Sequence, residues 1–331
     1  MKKLLGVAVL VLLVCSIASS TLAAPVVIRV GIGFNDKTAQ YKALEVFKKE
    51  LEEKSKGYYR VDLYHSSQLG DDRVMMENLR IGNQEMTCPA TAPVAGFVKE
   101  MKVLDLPYLF PDNEVMHKVL SGPVGRKLLD RLDAAGLHGL VYLPEGFRNL
   151  TNSVREVRTP DDLKGLKIRT MENPIHMEAF RLWGASPTPM PFGEVFSALE
   201  QRVVAGQENP TSVAYLQKFY EVQKYYSHTE HFAAPYILMI SKKFWDAQTP
   251  QRRKMIQDAA QQAYVAHKKI SADFNNEYLE KMKGVLKVAI LTPAEKAEFR
   301  KKAAPLYERV KKELGEDFVQ EFIDAVEAAS K

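Results

Sequence analysis

Short runs in which apolar residues alternate with polar ones recur along the chain, separated by longer stretches with helical spacing. Residues 26–33 read VVIRVGIG, an alternation ending in glycines, as a strand running into a loop does. In residues 39–54, Ala43, Val46, Phe47 and Leu51 fall on one helical face with Lys and Glu opposite, which predicts a helix that Gly57 breaks. Further strands are predicted over residues 59–64, 139–143, 166–170 and 236–240. Strands alternating with helices imply a largely parallel α/β sheet with crossover connections. Thr159-Pro160-Asp161-Asp162 and Thr292-Pro293-Ala294-Glu295 carry the capping and first-turn chemistry of helix starts.

The longest periodic segment covers residues 250–283. It holds no internal glycine and no proline after the first position, and lies between a capping Thr249 and Gly284. Ala259, Ala263, Ile270, Phe274 and Tyr278 give it an apolar side. At about 1.5 Å per residue such a helix reaches roughly 50 Å, whereas a small domain is about 30 Å across. One rod longer than one lobe predicts a helix that spans two, provided that it runs past Ser271 without a kink.

The N-terminus bears on location. Met1-Lys2-Lys3 is followed by an apolar run from Leu4 to Ile17 and then by small residues ending in Thr21-Leu22-Ala23. This is the pattern of a secretory signal peptide cleaved after Ala23, and the run is short for a membrane span. Removal of residues 1–23 leaves 331 − 23 = 308 residues, with 44 basic and 41 acidic side chains for a net +3. The basic residues are scattered as pairs such as Lys48-Lys49, so nucleic acid is not an expected partner. Cys88 alone remains of the two cysteines, which rules out an internal disulfide and leaves stability to an ordinary core.

Catalytic and cofactor signatures are wanting. Gly31-Ile32-Gly33 lacks the third glycine of a dinucleotide loop, Gly122–Lys127 does not match a P-loop, and no Gly-x-Ser-x-Gly elbow occurs. His228 and His231 are not spaced as the ligands of a zinc protease, which points to a structural or ligand-contact role for the pair. The expectation is therefore a protein that is not an enzyme and carries no cofactor or metal.

The informative stretch runs from Gly146 to Pro210. Arg169 ends the strand-like LKIRT, and Arg148 follows the strand predicted at 139–143. Carboxyl ends of strands are where open α/β sheets present ligand groups, and a guanidinium matches a carboxylate with two parallel hydrogen bonds. Pattern alone also allows either arginine to pair with a surface acid, and would place Phe192 in the core.

The segments LKGLKIR (163–169), GASPTPMPF (184–192) followed by Glu194-Val195, and GQENP (206–210) closely resemble the extracytoplasmic substrate-binding subunits of TRAP transporters, of the DctP type. So do SSQLGDD (66–72), DLPYLF (105–110) and KFYEVQK (218–224), and the resemblance covers essentially the whole mature chain. It implies a two-lobed, periplasmic-binding-protein-like α/β fold with a long helix along both lobes. Lobe I is expected to comprise residues 24–146 and 235–274, and lobe II residues 147–234 and 275–331.

The resemblance assigns the carboxylate-binding arginine to Arg169, a second ligand-facing arginine to Arg148, the aromatic wall to Phe192 and a polar contact to Asn209. A looser match adds Asp72, Glu172 and Tyr236. Sialate-binding members carry an acid and an arginine where this chain has Ala90 and Pro93, which argues against sialic acid. The function implied is capture of a small organic acid (a sugar acid, dicarboxylate or hydroxy or keto acid) in the periplasm and its delivery to the small and large TRAP membrane subunits. Two alternatives stay open: a ligand-sensing protein serving a membrane receptor, which would share the same cleft, and an exported enzyme on a two-lobed scaffold.

Overall fold

A computed structural model of the chain describes residues 24–331; the signal-peptide reading lies outside them. Among the described residues nine strands form one mixed sheet: β1 (Val26–Gly31), β2 (Tyr59–Tyr64), β3 (Met86–Thr87), β4 (Leu137–Asn152), β5 (Lys167–Thr170), β6 (Ser186–Pro189), β7 (Gly206–Pro210), β8 (Tyr225–Ser241) and β9 (Lys287–Ile290). Their order is β2-β1-β3-β8-β4-β7-β5-β6, with β9 also on β8. β1 pairs in parallel with β2 and β3, and β5 with β6 and β7. These two parallel groups belong to two α/β halves.

The expectation of a largely parallel sheet holds within each half and fails between them. β4 and β8 are long antiparallel strands of 16 and 17 residues that run through both halves. Only residues 139–143 and 236–240 had the look of strands, because Pro144, Gly146 and Pro235 interrupt the flanking pattern and proline removes a ladder donor. Pro144 and Pro235 face each other across the pair, and the register shifts between Pro144 and Phe147. The shift absorbs the lost pairing at the crossing from one half to the other.

The helix Pro250–Lys283 is continuous through Ser271, and the Thr249 hydroxyl accepts from the Arg252 amide at its start. Ile256, Ala259, Ala260 and Ala263 join the core that also takes Ala43, Leu44, Phe47 and Leu51 of the helix Ala39–Lys54. Its far end places Met282 in a separate core with Val195, Leu199, Phe219 and Tyr226. Burying large apolar side chains at about 25 cal/mol per Å² anchors each end to a different half.

Between these ends the helix grips the β4 crossing. His267 Nε2 meets Glu145 Oε2 at 2.8 Å, and Asn275 Nδ2 donates to the Glu145 carbonyl at 2.6 Å. Gly146 has φ +105°, and a β-carbon there would lie 3.2 Å from Asn275 Nδ2. The C-terminal helices Pro293–Leu314 and Glu316–Ala329 brace both sides: Tyr307 donates to the Pro107 carbonyl at 2.8 Å, and Trp183 Nε1 donates to the Phe299 carbonyl at 2.9 Å. Among the described residues no helix is long and apolar enough to cross a membrane.

Candidate functional site

At the carboxyl ends of β1 and β5, between the two halves, lies a narrow cavity of about 40 Å³, enough for little more than a water molecule. Its wall includes Arg169, Arg148, Asn209, Phe192, Asp72, Glu172 and Tyr236. Seven residues spread over 165 positions of sequence (236 − 72 + 1) therefore converge on one space.

Arg169 sits near the end of β5, where the parallel pairing with β6 and β7 fixes its backbone. It is buried, and its Nε and Nη2 donate to the Met190 carbonyl at 3.1 and 2.8 Å. Nη1 is buried with no partner among the described residues, and none of the ion pairs among them involves Arg169. Burial lowers its pKa from 12.5 to about 10, so the group stays charged at neutral pH. The Phe192 ring lies with its centroid 6.0 Å from the guanidinium carbon, within cation–π range.

Arg148 differs. It is held by β4 opposite Pro210 of β7, and its Nε and Nη2 both bind the Glu208 carboxylate, Nη2 to Oε1 at 2.8 Å. Nη2 also donates to the Glu208 carbonyl at 2.6 Å and to Asn209 Oδ1 at 3.1 Å. Burial alone would raise the Glu208 pKa, but Arg148 and a bond from His231 (Nε2 to Oε2, 3.3 Å) hold it well below the usual range. Arg148 thus lines the cavity with its charge already neutralised. His231, left open between a structural and a ligand-contact role, acts as a prop for Glu208.

Asp72 opens the helix Asp72–Ile81, just after its capping residue Asp71. The residue keeps some exposed surface, but its carboxyl is enclosed, and that burial pushes its pKa from 3.8 to about 7. The Ala90 amide donates to it at 3.4 Å and, with Arg169, partly opposes the shift, while Asp71 adds to it. The Tyr236 hydroxyl is buried without a partner among the described residues. Glu172, in the loop after β5, is exposed at the rim.

Sequence reading missed several wall residues, among them Phe34, Arg73, Met171 and Met190. Phe34 meets Phe192 edge-on at 4.7 Å and Tyr236 at 5.4 Å, which makes the aromatic wall a cluster of three rings. Its place three residues after β1, in the loop at a strand's carboxyl end, was a usable signal. Met190 contributes through a backbone carbonyl, which no side-chain pattern encodes.

Residues 30–313 match the family model of the bacterial extracellular solute-binding proteins, family 7 (DctP). The chain belongs to this family. A solute-binding protein of Verminephrobacter eiseniae is 36% identical over 92% of this chain and 91% of its own length. The 2,3-diketo-L-gulonate-binding periplasmic protein YiaO of Escherichia coli is 37% identical over 77% of this chain and 78% of its own. Among solved structures, the sugar acid binding protein DctPAm of Advenella mimigardefordensis in complex with galactonate superimposes with a TM-score of 0.90, at 38% identity, covering 92% of this chain and 99% of that one. The fold of this family 7 protein is accordingly the two-lobed one of TRAP solute-binding proteins, and its family is one of solute binding.

Proposed function

We propose that this protein binds a small organic acid between its two lobes, with the ligand carboxylate on Arg169, and hands it to a TRAP membrane permease. The observation that carries this reading is a buried guanidinium with a free Nη1 and no acid paired to it among the described residues. A buried charge without its partner costs several kcal/mol, and an arriving carboxylate supplies that partner with two-pronged geometry. Asn209 completes the polar contacts, Arg148 adds its remaining Nη1, and Phe192 packs on the carbon skeleton. The galactonate and diketogulonate named for its relatives are acids of this kind.

Such a narrow cavity admits a ligand only after the lobes part. The proposed lobes are residues 24–146 with 235–274, and 147–234 with 275–331. Their three boundaries fall beside the facing prolines of β4 and β8 and at the Asn275 grip on the long helix. Closure expels water and strengthens the charge pairing. The C-terminal helices, counted in the second lobe, reach the first through the Tyr307 bond to the Pro107 carbonyl, which would limit how far the two part.

Export to the periplasm with cleavage after Ala23, delivery to a small and a large membrane subunit, and the absence of turnover complete the proposal. Titration calorimetry of the mature chain with a panel of organic acids tests it: one or more should bind with 1:1 stoichiometry and be recovered unchanged. If no carboxylate binds, or if the acid is converted, the reading falls. Reconstituted uptake that needs both this protein and the membrane subunits tests the partner assignment.

A further inference from the structure

A buried polar cluster stands behind the cavity wall, outside the site described above. Asn173 opens the helix Pro174–Leu182, directly after the wall residues Met171 and Glu172. Its Oδ1 accepts from the Ile175 and His176 amides at 2.8 and 3.1 Å, which caps the helix. Its Nδ2 donates to Asp105 Oδ2 at 2.7 Å and to the Ala92 carbonyl at 2.9 Å. A carboxamide has two acceptor sites and two hydrogens, so all four hydrogen-bonding positions of Asn173 are filled. His176 holds the other side of Asp105: its Nε2 lies 3.1 Å from Oδ1, and its ring stacks on Phe232 with centroids 3.9 Å apart. Asn173, Asp105 and His176 are each at most 3% exposed.

The two partners of the amide differ in how they are held. Asp105 ends the short helix Lys99–Asp105, and the chain after it is bonded to residues of the proposed second lobe. There the Tyr108 amide donates to the His231 carbonyl at 3.1 Å, and Tyr307 donates to the Pro107 carbonyl at 2.8 Å. Asp105 is therefore a seat that keeps its place beside Asn173. Ala92 sits between Ala90 and Pro93, both on the cavity wall, in the proposed first lobe. The Ala90 amide also donates to Asp72, and Ala90 pairs with Tyr236 through the backbone, so a shift of this segment moves several wall groups together. Parting of the lobes carries Ala92 away and leaves one amide hydrogen of Asn173 without its carbonyl. A buried donor left unmade costs enough to shift an equilibrium about tenfold.

Resting on the proposed lobe boundaries and on the carboxylate reading of Arg169, we infer that Asn173 is a positioning residue, a clasp that draws the Ala90–Pro93 wall onto the Met171–Glu172 wall when the lobes close. Asp105 and His176 aim its amide, and the Ala92 carbonyl is the catch. The clasp touches no ligand. It favours the closed form whichever acid Arg169 has taken, so it governs how long an acid is held and leaves the choice of acid to the cavity. Encounter takes place in the open form, where the clasp is undone, so its loss falls on dissociation and spares association.

The test uses two variants of the mature chain, with galactonate, glucuronate and succinate as probes. Asn173→Ser keeps a capping oxygen and lacks both amide hydrogens. The exchange of Asp105→Asn with Asn173→Asp keeps the cap and an amide–carboxylate pair but turns an acceptor toward the Ala92 carbonyl, and it serves if Asn173→Ser folds poorly. Stopped-flow measurement with the probe that wild type binds most tightly should show dissociation about tenfold faster in each folded variant, with association within about twofold of wild type. Double electron–electron resonance between labels on the two lobes should show a smaller closed population at saturation with that probe. A wild-type dissociation rate in a folded variant, or a slowing of association equal to the change in dissociation, overturns the clasp. If none of the probes binds wild type, or if Arg169→Ala binds them equally well, it is the carboxylate reading that has failed.

Discussion

Replacing Arg169 with methionine separates binding from folding. Methionine keeps much of the unbranched aliphatic bulk and removes the charge. Two opposing costs meet in the free protein. Burial lowers the guanidinium pKa from 12.5 to about 10, a penalty on the charged form of about 3 kcal/mol at 1.36 kcal/mol per unit. Against it stand the two bonds to the Met190 carbonyl, together worth about 2–3 kcal/mol, and the contact with Phe192. These nearly cancel, so Arg169→Met should melt within a few degrees of wild type in the absence of ligand. Binding has no such compensation. Losing one side of a buried ion pair costs about 3–5 kcal/mol, which at 1.4 kcal/mol per decade weakens affinity by roughly two to three orders of magnitude. Arg169→Lys should also bind less tightly, since an ammonium cannot reproduce the forked geometry. Differential scanning fluorimetry and calorimetry read the two quantities apart. A variant that unfolds far more easily, or that binds as before, would show that Arg169 is a structural residue.

Glu208→Gln should destabilise the protein by about 3–5 kcal/mol, because Arg148 is left buried without its counter-charge, and chemical denaturation measures the loss. Since the Glu208 pKa is held below its ordinary 4.5, the stability it contributes is present above that pH and declines as pH falls below it; Glu208→Gln should flatten this part of the melting profile. Asp72 has the opposite sign: its pKa is raised from 3.8 to about 7, so its contribution to stability is greatest below about pH 4 and is lost as pH rises toward 7, and Asp72→Asn should remove that slope. With Asp71 and Arg169 as its charged neighbours, an ionised Asp72 repels an anionic guest, so carboxylate affinity should weaken as pH rises through about 7, less so in Asp72→Asn. Gly146→Ala, at φ +105° and against Asn275, should cost about 1–2 kcal/mol and change the distribution of open and closed forms seen by double electron–electron resonance between labels on the two lobes.

The elements were legible where periodicity alone determines them. The helix over 250–283 and the strand at 59–64 occupy the predicted residues, since each has an unbroken pattern between clear end signals. The long strands β4 and β8 were only partly legible, because prolines at their midpoints read as breaks whereas pairing across the sheet continues past them. Side chains marked by motif reached the cavity. What the sequence left hidden was how each is used. Arg148 and Arg169 look alike in sequence, yet one is tied to Glu208, sixty residues away, and the other to a backbone carbonyl. Likewise the Asp72 carboxyl and the Tyr236 hydroxyl owe their character to enclosure by distant segments, which no local pattern records.

The most direct measurement is a crystal structure of the mature protein with the tightest acid from the panel. A ligand carboxylate oxygen should lie about 2.8 Å from Arg169 Nη1, with the carbon chain packed on Phe192. A carboxylate bound elsewhere, with Nη1 still unpartnered, would contradict it.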